Sequence, residues 1–190
     1  MTRAFLFLVP ALLVSCAGGP DPLGWQLNSS QAMESFKQDY LVGNTAAAER
    51  DFDEARSNLR RTGRADLLAR AELVRCATRV AALEFDACPG FEALRQDAAP
   101  AEIAYADYLA GKGASRASDD PLSRLVAAGV AFRKTAITPA EIQAAVDISS
   151  AQGWARPLLA WLGVQAKRAE DGGDRETAAR LRRRMDLISK

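Results

Sequence analysis

The chain has 190 residues, no histidine and a formal net charge of +1. Charge this evenly balanced argues against a nucleic-acid binder, which would be strongly basic, and leaves no net field to steer a charged substrate. Without histidine there is no Ser-His-Asp or Cys-His nucleophile system, no His-ligated zinc and no histidine pH switch; a non-catalytic role without metal or cofactor is the expectation, with carboxylate or lysine chemistry still open.

At the start of the chain, Arg3 precedes an apolar stretch, residues 4–14, that contains one proline. A membrane-spanning helix needs about 20 apolar residues, so this stretch has the length and flank of a secretory signal. It ends in Leu13-Val14-Ser15-Cys16. These four residues resemble the lipobox of bacterial lipoproteins. The resemblance implies cleavage before Cys16, a diacylglyceryl group on its sulfur and acylation of the new amine. With Ala17 after the cysteine instead of Asp, it also implies the outer membrane, with the domain facing the periplasm. An ordinary signal peptide cut near Ala17 is the alternative. On this reading residues 1–15 are removed, residues 16–28 form the lipidated cysteine and a flexible tether, and residues 29–190 form one domain. The expected partners are the membrane, through Cys16, and an envelope protein, with no nucleic acid and no metal.

From there the apolar residues recur at helical spacing. A first helix is predicted over residues 30–41, with Met33, Phe36, Tyr40 and Leu41 on one side and Gly43-Asn44 as its stop. A second carries Ala48, Phe52, Ala55 and Leu59 and stops near Gly63. The third, over residues 64–85, is apolar on a wide face from Leu67 to Leu83 and should be central. A short helix over 90–96 follows, and then one opened by Pro100 and ending at Leu109. Residues 111–120 are the longest loop signal. Asp120 caps a helix with Pro121 at its first position. Thr138 and Glu141 make a capping box for the next, which Gly153 stops. Residues 156–170 form a helix with Leu158, Trp161 and Leu162, and Asp174 caps a last one through Leu187. No strand-like run is present. The fold class is therefore all-α: eight or nine helices in hairpins, packed as a short α-solenoid or as a compact helical bundle.

Two stretches carry a further resemblance. Ala48, Phe52 and Ala55 resemble the second-helix spacing of tetratricopeptide hairpins, and Leu162-Gly163 followed by Gly173-Asp174 and Ala178 resembles that family's first-helix pair, turn and second helix. The resemblance implies a helical surface that binds proteins. No strict 34-residue period accompanies it, and any tight helical hairpin would give the same small-large-small spacing.

Four groups of residues remain as candidates. Cys76 and Cys88 are the pair left after Cys16, and in an oxidising compartment a bridge between them is expected; two free thiols are the alternative, and the spacing lacks the C-x-x-C geometry of a redox site. Trp154 and Trp161 lie seven apart; core packing is the favoured reading, and a partner or ligand surface is the functional alternative. Arg180, Arg182, Arg183 and Arg184 cluster in the last helix, either toward an anionic surface or as a solvated helix end. Asp119-Asp120 and Glu170-Asp171 are acidic pairs that read as loop and capping residues. Acid/base work would need a cleft holding two carboxylates at a defined separation. An envelope glycan-acting enzyme, or a module for a small apolar ligand or lipid, is accordingly the alternative to protein binding.

Overall fold

The computed structural model describes residues 23–114 and 118–189. They form helices α1 (Gly24–Val42), α2 (Thr45–Arg60), α3 (Ala65–Ala81), α4 (Pro89–Glu92), α5 (Pro100–Leu109), α6 (Pro121–Arg133), α7 (Pro139–Ala151), α8 (Ala155–Asp171) and α9 (Arg175–Ile188), with a 3-10 turn at Arg95–Asp97. The fold is all-α, and among the described residues there is no strand. The signal segment and Cys16 lie outside the described residues. Among those described, no helix is long and apolar enough to cross a membrane.

Local chemistry explains the boundaries. The Asn44 side chain accepts the Ala47 N–H at the start of α2, Asp120 accepts Ser123 N–H at α6, and Asp174 accepts Thr177 N–H at α9. Thr138 and Glu141 bond reciprocally at α7. The predicted short helix over 90–96 divides into α4 and the 3-10 turn, and two further boundaries move. α1 begins at Gly24, so residues 24–28, expected in the tether, are helical; the Gln26 side chain accepts the Leu23 N–H at 3.2 Å and closes that end. α3 stops at Ala81, short of Phe85, because Leu83 turns left-handed (φ 61) in the place a glycine usually takes. Leu83 N–H then bonds to Val80 O and Glu84 N–H to Arg79 O, the paired bonds that satisfy a helix C-terminus.

Two apolar cores result. The larger joins α3, α5, α6, α7 and α8 around Leu73, Val80, Leu125, Val126, Ile142, Val146, Trp161 and Leu162. α3 and α6 cross at Gly129, where an added Cβ would lie 2.3 Å from the Val80 carbonyl oxygen. The smaller core belongs to the α1–α2 hairpin: Phe36, Tyr40, Leu41, Ala48, Phe52 and Leu59. Phe36 and Phe52 meet with ring centroids 5.1 Å apart.

α1 returns to touch α8. Arg156, at the start of α8, donates from Nε to Tyr40 O at 2.7 Å and from Nη1 to Glu84 Oε1 at 3.2 Å, with its guanidinium 4.3 Å from the Tyr40 ring centroid. In a solenoid each hairpin meets only its neighbours. This contact between early and late helices closes the chain into a compact helical bundle, with α9 packed on α8 at one edge.

Candidate functional site

The two cores do not merge fully. α1 packs extensively on α2 but only lightly on α3, and the seam between α1 and α3 opens into a groove. On α1 the groove wall is a stripe of residues four apart, one helical turn each: Trp25, Ser29, Met33 and Lys37. On α3 it is Leu67, Arg70, Val74 and Ala77.

Three hollows share Lys37: one lies in this seam, one continues along α3 beneath α5 and α6, and one lies beside them between α1, the start of α6 and Trp154. The first, of about 420 Å³, lies between α3, α5 and the start of α6, floored by Leu73, Val74, Leu122 and Val126 with Tyr105 at the side. The second, of about 370 Å³, runs between Trp25, Met33, Leu59 and Leu67. The third, of about 620 Å³, reaches past Leu41 to Leu122 and Trp154. Leu122 and Trp154 touch both cores. In the first two hollows the floor is apolar and the rims are charged, the composition typical of binding clefts, whereas the third is lined mainly by polar and charged side chains of α1.

The rim charges are already paired. Lys37 Nζ is 2.7 Å from Glu34 Oε1. Arg70 donates to Glu102 Oε1 from Nε at 2.8 Å and from Nη2 at 2.6 Å, and Glu102 Oε2 also accepts the Ala99 N–H. The Arg70 guanidinium holds the Glu102 carboxyl below the usual range. Asp120 is occupied as the α6 cap. Burial pushes the Tyr105 phenol up to about 12, so at neutral pH it is a neutral hydrogen-bonding group. The groove is thus an apolar surface with polar edges, its own carboxylates spent on caps and ion pairs.

The tryptophans separate. Trp154 is the N-cap residue of α8, half-buried, and lines the third hollow. Trp161 does not belong to any accessible surface: it is fully buried, donates from Nε1 to Ala81 O at 3.2 Å and meets Phe132 edge-on. Trp161 is the core residue that the favoured reading gives, and the alternative of a shared aromatic surface is corrected, because α8 begins only at Ala155 and Trp161 fills the core beside α3.

Cys76 and Cys88 are bonded, with Cα atoms 5.8 Å apart, and tie α3 to the start of α4. An Asp86 oxygen lies within 4.8 Å of both sulfurs. The sulfurs are spent on each other, however, and the carboxylate receives the Cys88 N–H at 2.8 Å and Arg79 Nη1 at 3.0 Å. This arrangement fastens a turn and presents no ligand set. The acidic pairs are likewise engaged: Glu170 with Arg182, Asp171 with Lys167, and Asp120 as a cap. A carboxyl pair that spacing gave no hint of is Asp39–Asp51, across the α1–α2 hairpin. Partial burial and the hydrogen bond to Asp39 raise the pKa of Asp51. The two carboxyls touch, whereas glycoside hydrolysis needs them about 5 Å or more apart around a sugar.

The groove residues Lys37, Arg70, Val74 and Leu122 were not singled out by sequence. The available signal was the breadth of the apolar face of α3, wider than α2 and α6 together can cover. Compared with protein families, with curated proteins and with solved structures, the chain matches none.

Proposed function

We propose that this chain is a bacterial lipoprotein, anchored through Cys16 in the outer membrane and facing the periplasm, and that it works as a non-catalytic binding protein whose α1–α3 groove takes an apolar segment of an envelope protein. The observation that carries the binding role is the open groove itself, two hollows meeting at Lys37 and Arg70 over the apolar face of α3, with a third beside them toward Trp154. Its length suits an extended or helical segment better than a compact molecule, and its paired rim charges offer polar edges without fixed demand for one sign. The lipobox residues Leu13 to Cys16 carry the address.

Each half has its own test. Cys16→Ser should lose membrane association while keeping its helical circular dichroism; a variant that still pellets with outer membranes removes the lipid as the main anchor. Val74→Arg places a charge on the half-exposed groove floor. It should abolish recovery of the partner after mild crosslinking of whole cells, with a melting curve close to that of the parent. Undiminished recovery of the same partner would exclude the groove.

A small apolar ligand is the second reading, favoured by the apolar floor between α3 and α6. It predicts co-purifying small molecules that Val74→Arg removes.

A further inference from the structure

The first turn of α1 is unlike the rest of the surface. Leu23 is 60% exposed and Leu27 is 51% exposed. They are one helical turn apart, with half-buried Trp25 between them. Single exposed apolar residues are ordinary, but here two share a face, and the Trp25 indole sits at the same end of the helix on the groove side. The sequence from Leu23 to Met33 also contains no charged side chain, in a chain where 26% of residues are charged. The first charge on α1 is Glu34. Burying a charge at the edge of a bilayer is costly, and this tip has none to bury.

We propose that the Leu23, Trp25 and Leu27 tip is a lipid-contacting surface. The two leucines enter the acyl boundary and the indole rests at headgroup level, where tryptophan is favoured. This inference rests on the Cys16 tether. Six residues lie between Cys16 and Leu23, so the connection reaches at most ~25 Å. A tether that short holds the nearest part of the domain against the bilayer, at an effective concentration that makes a weak contact count. That nearest part is the uncharged tip. Trp25 is also a wall of the second hollow, with Met33 and Leu67 behind it. Contact through the tip therefore turns this end of the groove toward the headgroups. The segment it takes lies at the membrane surface.

The test uses the lipidated full chain carrying Trp154→Phe, in vesicles of phosphatidylethanolamine and phosphatidylglycerol with brominated acyl chains. Trp161 is fully buried and supplies a constant background, so Trp25 is the reporter. Its emission should be quenched several-fold more than in a protein that also carries Leu23→Gln and Leu27→Gln, while both proteins float equally with the vesicles. Equal quenching in the two, or a parent that floats without quenching, overturns the tip contact and leaves the tether standing. Quenching that follows protein concentration and not bromolipid content means self-association through the tip, and also overturns it. A protein that does not float, with an unmodified Cys16 by intact mass, removes the tether and the tip contact together.

Discussion

The α3–α8 body and the α1–α2 hairpin are held together by different physics. In the body the seams are apolar and close: Gly129 brings α6 against the α3 backbone, and Trp161 fills the space beside it. The hairpin meets the body through a narrower apolar contact at Ala71 and Ala82, reinforced by charged groups. Arg75 reaches Glu49 at 2.8 Å and lies 4.7 Å from the Phe52 ring centroid. Arg56 Nε is 3.0 Å from Glu72 Oε1, a carboxylate almost fully buried under Gly90. Arg156 ties Tyr40 and Thr45 to α8. Ion pairs seal the α2–α3 seam at points, whereas the α1–α3 seam stays open as the groove. Interiors tolerate few voids. An apolar helix face left uncovered between two otherwise well-packed cores is therefore where a partner gains most by burial.

Substitutions can break this comparison, and the largest effect belongs to the body. Gly129→Ala forces a methyl group onto the Val80 carbonyl, a backbone atom that cannot step aside. It should cost 3 kcal/mol or more, roughly the upper range for overpacking, read as a lower denaturation midpoint for the whole domain. Reducing the Cys76–Cys88 bridge frees a loop of sequence separation 12 and should cost about 3 kcal/mol in the chain-entropy account. An unchanged melting temperature after reduction would deny the bridge a structural role.

Arg156→Met tests the hairpin. It removes the charged hydrogen bonds and the ring contact, about 1–2 kcal/mol in sum. Hydrogen exchange should quicken in α1 and α2 and stay unchanged in α6 and α7. Uniform quickening would mean that the two cores open as one.

The smallest effect sharpens the electrostatics of the hairpin. The pKa of Asp51 is raised in the folded state, by its partial burial and its bond to Asp39. A raised carboxyl pKa favours folding while the proton is on, and that contribution is lost as pH climbs through the folded value. Asp51→Asn keeps the hydrogen bond without the second charge. It should melt slightly higher than the parent near neutrality and no higher at about pH 4, where the unperturbed carboxyl is half protonated.

Most of the fold was legible because its signals are local. Pro100, Pro121, the Thr138–Glu141 box and Asp174 mark helix starts at the residues where α5, α6, α7 and α9 begin. The cysteine bridge was legible from the even count of cysteines left after Cys16. Leu83 was not, because a left-handed leucine carries no glycine to announce it. Trp161 could not be told from a surface tryptophan by spacing, since its burial depends on Ala81 of α3, distant in sequence. The groove was the least legible part. It is set by how far α1 stops short of α3, a tertiary distance that no periodicity records, and its charged rim reads in sequence as ordinary solvated helix surface.

The measurement that bears most directly on the groove is site-specific photocrosslinking in living cells. A photoreactive side chain at Leu122, where the two cores meet, should give one discrete adduct with an envelope protein, and the same group at exposed Gln152 should give none. Adducts of equal yield and identity from both positions, or none from Leu122 in the folded protein, would contradict the account.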